Sequence, residues 1–193
     1  MRTVIVDYNA GNIRSLCYAL DRLQVRYCLS REPDVIQQAG RVIIPGVGAA
    51  ASAMDHLRAT GLDQLIPQLK QPVLGICLGM QLLCSHSAEG NTDCLNIIPQ
   101  PVLHFPQIPG IKVPHMGWNK VQAGVSAPGE ANGAWLYFVH SYYVPVHAYT
   151  VATAVHGIPF SAMVRKNNFW GMQFHPEKSA EAGTALLQKF LRS

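Results

Sequence analysis

Val73-Leu74-Gly75-Ile76-Cys77-Leu78-Gly79-Met80-Gln81 is the stretch whose reading decides the fold. Val73–Ile76 is a short apolar run of the kind that forms a strand buried on both faces of a parallel sheet. Residues 78–85 then read as a helix. Gly75-Ile-Cys77-Leu-Gly79 lies where the two meet, the cysteine counterpart of the G-x-S-x-G elbow. Its glycines permit a sharp, crowded turn, and the cysteine projects at the strand's C-terminal end. A helix beginning at Leu78 presents free N–H groups and a partial positive charge there, which favours a thiolate. An isolated free cysteine is more often a small buried hydrophobe, the reading accepted for Cys17, Cys28, Cys84 and Cys94.

The same alternation extends upstream. Thr3-Val-Ile-Val-Asp7 and Val42-Ile-Ile44 repeat the buried-strand signal, and Ile13, Leu16, Cys17, Leu20 and Leu23 recur at helical spacing. A helical stretch over residues 52–70 is interrupted near Gly61. Strands alternating with helices predict a flavodoxin-like, doubly wound α/β fold: a mostly parallel central sheet with helices on both faces. The second half is rich in Pro, Gly, aromatic and β-branched residues, so it is expected to be β-rich. Short strands are expected near 136–139, 149–155, 160–164 and 169–174, with a closing helix over 180–191. No repeat or linker divides the chain, and residues 1–193 are read as one domain.

Composition narrows the function class. Of 193 residues, 49% are hydrophobic and 13% charged, about half the charged share usual for soluble domains. Disorder would require the opposite balance. No uncharged apolar stretch approaches the ~18 residues of a membrane span, so no membrane association is expected. Fifteen Lys and Arg against eleven Asp and Glu give +4, but the basic residues are scattered, which argues against nucleic acid. Five cysteines without CxxC spacing, and no leader-like start, point to reduced thiols in a cytoplasmic protein.

A thiol nucleophile needs a base. Phe174-His175-Pro176-Glu177 follows an apolar run, so His175 is expected at a strand end, where sheet enzymes place site residues. Glu177 is placed to hold the imidazole's tautomer, and Pro176 restricts His175 to extended backbone. An H-x-E triplet alone marks a surface loop more often than a site. Joined to the cysteine elbow, it gives a Cys77-His175-Glu177 triad. Pro45-Gly-Val-Gly48 ends another strand and can bring backbone N–H groups of Val47 or Gly48 to the same sheet edge. With the Leu78 N–H they would form an oxyanion hole, where losing one donor typically costs about 10²–10³-fold in rate.

Taken together, Gly75–Gln81, Phe174–Glu177 and the Pro45–Gly48 loop resemble the class I, triad-type glutamine amidotransferases. Two further motifs, Asp7-Tyr-Asn-Ala-Gly-Asn-Ile-Arg-Ser15 and Lys112-Val-Pro-His-Met-Gly-Trp-Asn119, resemble the glutaminase subunits of imidazole glycerol phosphate synthases, and the likeness spans essentially the whole chain. The resemblance implies Cys77 as nucleophile, His175 as base and acid, and Glu177 as orienting carboxylate. It further implies a glutamine pocket lined by Gly48, Gln81, Glu89, Ser141 and Tyr142, with no cofactor and no metal. The implied partner is a (β/α)₈-barrel cyclase subunit in a heterodimer, with Asn12, Arg14, Trp118, Asn119 and Lys178 at the interface. Two alternatives stay open: an amidotransferase serving another synthase, and a scaffold of the same fold with a vestigial triad.

Overall fold

The computed structural model describes residues 2–8 and 13–193. The first half runs β1 (Thr3–Val6), α1 (Arg14–Arg22), β2 (Tyr27–Ser30), α2 (Pro33–Gln37), β3 (Arg41–Ile44), α3 (Ala50–Ala59), α4 (Leu62–Leu65), β4 (Val73–Ile76) and α5 (Leu78–Leu82). The second half is mostly strand: β5 (His86–Ser87), β6 (Thr92–Asp93), β7 (Pro101–His104), β8 (His115–Lys120), β9 (Gln122–Ala123), β10 (Trp135–His140) and β11 (Tyr142–Tyr143). It closes with β12 (Thr150–His156), β13 (Ile158–Lys166), β14 (Phe169–Met172) and α6 (Ala180–Leu191).

The main sheet has eight strands in the order β2-β1-β3-β4-β14-β13-β12-β9. Pairing is parallel from β2 through β14 and antiparallel from there on. Because side chains alternate across a strand, each central strand feeds two cores. Val4, Val6, Val42, Ile44 and Val73 face one core, which α2, α3 and α4 cover. Ile5, Ile43, Leu74 and Ile76 face the other, beneath α1 and α6. Continuous apolar runs such as Val73–Ile76 are fully buried for that reason. A β10–β8 ribbon and a four-stranded sheet, β11-β7-β5-β6, flank this frame.

Two differences from the sequence reading have physical causes, and one expected break is met. The helix expected over 78–85 stops at Leu82, because loop N–H groups occupy the carbonyls that its next turn would use. Leu95 donates to Leu82 (3.0 Å), Ile97 to Leu83 (3.0 Å) and Asn96 to Cys84 (2.7 Å). The break expected near Gly61 is present: its φ of 70° starts a separate short helix. The strands around 86–104 lie in a separate small sheet, and several are only two residues long, too short to show a period.

Register positions the site. Ile44 pairs with Gly75, and Ile76 pairs with Met172. The residues that follow, Pro45, Cys77 and Gln173, therefore emerge side by side at the C-terminal edge of three adjacent parallel strands. The sheet order reverses between β1 and β3, and open α/β sheets bind ligands at such an edge.

Candidate active site

Cys77 occupies the elbow with φ 48° and ψ −107°, a backbone conformation that non-glycine residues rarely adopt. The surroundings hold it there: its N–H donates to the Met172 carbonyl at 2.7 Å. A Cβ on Gly79 would collide with the carbonyls of Ile44 and Pro45, so only glycine allows α5 to start this close to the end of β3. A Cβ on Gly46 would likewise overlap the Ile76 carbonyl and the Cys77 side chain. The Pro45–Gly48 loop therefore lies directly against the elbow, and Gly48 has φ 110°.

His175 and Glu177 are brought to the same point. His175 Nδ1 lies 2.8 Å from Glu177 Oε1, with both side chains more than nine-tenths buried. Burial pushes the imidazole toward its neutral form, but the Cys77 sulfur and the carboxylate together outweigh it and lift His175 to about 10. Pro176 has the expected effect, leaving His175 extended at φ −94°, ψ 98°. The second oxygen of Glu177 is buried and has no hydrogen-bond partner.

A cavity of about 120 Å³ opens over the sulfur. It brings together Gly48, Cys77, Leu78, Gln81, Glu89, Ser141 and Tyr142, seven of the residues singled out from sequence. Val47 instead borders a much smaller void beside His175 and Glu177. Glu89 uses one oxygen to accept the Ala50 N–H (2.9 Å) at the start of α3. Gln81 is buried and spends its amide N–H groups on the Tyr142 carbonyl and Gln173 Oε1, both at 3.0 Å. Its own carbonyl oxygen is left for the cavity, an acceptor suited to an ammonium group. Leu78 begins α5, where first-turn N–H groups have no acceptor within the helix.

The class-I glutamine amidotransferase family model matches residues 4–193. The chain belongs to that family. A relative from Bacteroides thetaiotaomicron, "Imidazole glycerol phosphate synthase subunit HisH", is 52% identical over 99% of both chains. One of the same name from Escherichia coli is 47% identical, also over 99% of each. Among solved structures, that of PurLQS from Thermotoga maritima has a TM-score of 0.73 at 18% identity. The match covers 99% of this chain and 97% of that one, and at this identity it speaks for the fold.

In this amidotransferase the residues expected at a partner interface behave differently from one another. Trp118 and Tyr137 are cross-strand partners on the outer face of the β8–β10 ribbon, their rings edge to face 6.1 Å apart. Trp118 is 50% exposed, with Met116 and Trp135 exposed beside it. Lys178 Nζ sits 6.0 Å over the Tyr137 ring. Asn119 points the other way, donating to the Val155 carbonyl (2.8 Å) and contacting His115. Arg14 lies in the first turn of α1, and Asn12 falls outside the described residues. Among the described residues no helix is long and apolar enough to cross a membrane.

Sequence reasoning missed several groups at this site. The Tyr8 hydroxyl, buried beyond the end of β1, donates to the Pro45 carbonyl and lies 3.4 Å from that of Val47, fixing the loop from below. Ser179 Oγ accepts from Tyr137 N–H (2.9 Å) and donates to the His175 carbonyl (2.6 Å), while His175 N–H donates to Tyr137 (2.9 Å). Only the polarity of Ser179 between Lys178 and Ala180 hinted at this. Gln173, fully buried, touches both Gln81 and the Cys77 sulfur.

A second buried group sets a pH dependence. His140 Nδ1 faces the Tyr142 carbonyl at 2.7 Å, so it carries the proton, and its Nε2 accepts from His115 Nδ1 at 3.1 Å. Burial holds His140 at about 3 and His115 at about 4, both neutral in the folded chain. Unfolded histidines take up protons below about pH 6.5, so stability drains away as pH falls from there toward 4. His175, shifted upward, acts in the opposite sense: its contribution is complete below about pH 6.5 and fades as pH rises toward 10. The thermal midpoint is expected to be highest near neutrality and to fall on both sides. A midpoint flat from pH 6.5 to 4.5 would contradict the acid arm.

Proposed function

We propose that the chain hydrolyses L-glutamine to glutamate and ammonia through a thioester on Cys77. The observation that carries the reading is the buried pairing of His175 with Glu177 beside Cys77, which itself lines one small cavity. His175 is held protonated well above neutrality, so it has a proton to give to a departing nitrogen. The sulfur attacks the side-chain amide carbon. Negative charge gathers on the amide oxygen, which the Leu78 N–H and a Pro45–Gly48 loop N–H would receive. His175 gives its proton to the departing nitrogen as the C–N bond breaks, and ammonia leaves. Neutral His175 then takes a proton from water, whose oxygen attacks the thioester. Glutamate departs and the thiolate and imidazolium return.

Glutamine's charged ends have complementary groups at the cavity. Glu89 and the Gln81 carbonyl oxygen suit the ammonium, and backbone N–H groups around Ser141 and Tyr142 suit the carboxylate. Ammonia released into neutral water becomes ammonium, which is no nucleophile, so a product of use must pass directly to an acceptor site. The relatives share the name of a subunit of imidazole glycerol phosphate synthase, and the acceptor site would lie on a separate (β/α)₈-barrel cyclase subunit of histidine biosynthesis. The two would form a cytoplasmic heterodimer. The exposed Met116, Trp118 and Trp135, with Lys178 nearby, supply the aromatic and cationic anchors typical of interface centres.

Glutaminase turnover measured with and without the cyclase subunit tests the assignment, with stimulation expected. Trp118→Ala should weaken the complex by at least ~2 kcal/mol, about 30-fold in Kd, if Trp118 is a central anchor. The fold should survive, because half the side chain is in solvent. Unchanged affinity and unchanged stimulation would remove Trp118 from the interface.

A further inference from the structure

We propose that Gln173 is a further catalytic residue, its amide N–H binding the Cys77 sulfur and favouring the thiolate over the thiol. The proposal rests on Cys77 being the nucleophile. Gln173 is completely buried one residue beyond β14, so its amide must find partners inside the protein. Which end of that amide faces the sulfur follows from its neighbours. Gln81 Nε2 lies 3.0 Å from the Tyr142 backbone carbonyl, an acceptor only, so the Gln81 nitrogen is correctly placed. That nitrogen is a donor only, and it lies 3.0 Å from the Gln173 amide. The Gln173 atom facing it must be the carbonyl oxygen. The Gln173 nitrogen is then the atom turned toward Cys77 Sγ, at 3.7 Å, a normal length for a bond to sulfur.

The sulfur therefore sits between opposing groups. The Val139 carbonyl, also 3.7 Å away, is satisfied only by an S–H donor and so favours the thiol. The Gln173 N–H has a proton to give and bonds a sulfur anion more strongly than a neutral thiol. When the Cys77 proton moves to His175, the bond to Val139 is lost while the bond from Gln173 strengthens. No atom of Gln173 is transferred. Gln81, which lines the glutamine cavity, fixes the Gln173 amide from the other side, so the substrate pocket and the sulfur share one rigid pair of amides.

Two variants remove the donor with little change of bulk: Gln173→Met and Gln173→Leu. In the full chain, alkylation of Cys77 by iodoacetamide is followed against pH by peptide mass, with folding checked by circular dichroism. Loss of one hydrogen bond to a charged group predicts alkylation about tenfold slower near neutral pH and a pH midpoint about one unit higher. With the cyclase subunit present, kcat for glutamine should fall by a similar factor. A core residue with no influence on the sulfur would leave the alkylation profile in place. An unchanged profile in a folded variant overturns the proposal, and so does failure of both variants to fold, which would make Gln173 a packing residue. Cys77→Ala in the same turnover assay separates the two levels. If that variant keeps glutaminase activity, the nucleophile assignment itself has failed; if it is inactive while the Gln173 variants match the parent, only the role of Gln173 has.

Discussion

Replacing Cys77 with alanine is expected to abolish glutamine-dependent turnover of the reconstituted pair, by a factor on the order of 10⁴ or more. The reason is positional as well as chemical. No other cysteine can substitute: burial drives the Cys84 thiol up, Cys94 is pushed to about 11 chiefly by burial, and neither Cys17 nor Cys28 borders the cavity. Alanine fits the elbow no worse than cysteine, since the backbone strain is a matter of the Cβ that both carry. Turnover with added ammonium salt in alkaline buffer should therefore persist, because the acceptor site needs only ammonia. Equal loss with both nitrogen sources would mean that Cys77 holds the complex together and performs no chemistry on glutamine.

Glu177→Gln is expected to lower kcat for glutamine by about 10²–10⁴-fold, the scale seen when a triad carboxylate becomes an amide. Glu177 accepts the His175 Nδ1 proton at 2.8 Å, which leaves Nε2 as the nitrogen that exchanges a proton in the proposed reaction. An amide offers either an oxygen, which keeps the tautomer but loses the charge that sustains the imidazolium, or a nitrogen, which forces the wrong tautomer. The side chain is 8% exposed, and its second oxygen already lacks a partner, so the new amide group would also be buried unsatisfied. A KM change alone, with kcat intact, would place Glu177 in substrate binding instead. With less support for a charged imidazole beside Cys77, the same variant should also slow alkylation of Cys77 at neutral pH.

How much of this was legible in the sequence depended on range. Val73–Ile76, Gly75, Gly79 and Pro176 announced strand, elbow and extended histidine because their constraints are local, and the central sheet and α6 followed from periodicity. Gln81 and Gln173, 92 residues apart, meet only because β4 and β14 are neighbours in the sheet, a pairing that no local pattern encodes. Tyr8 and Pro45 are joined by the same kind of long-range contact. The end of α5 at Leu82 was hidden because the N–H groups that stop it come from residues 95–97. Trp118 and Asn119 were paired as interface candidates, yet the two-residue period of β8 turns Trp118 outward and Asn119 inward. The low charge fits the exposed apolar face of the β8–β10 ribbon, where Met116, Trp118 and Trp135 stand in place of solvated side chains.

Covalent labelling by an electrophilic glutamine analogue, read by intact mass and peptide mapping with the cyclase subunit present, tests the nucleophile assignment most directly. The expected result is one adduct per chain, on Cys77, suppressed by excess glutamine and absent from Cys77→Ala. No adduct, or an adduct on another cysteine that glutamine does not suppress, would contradict it.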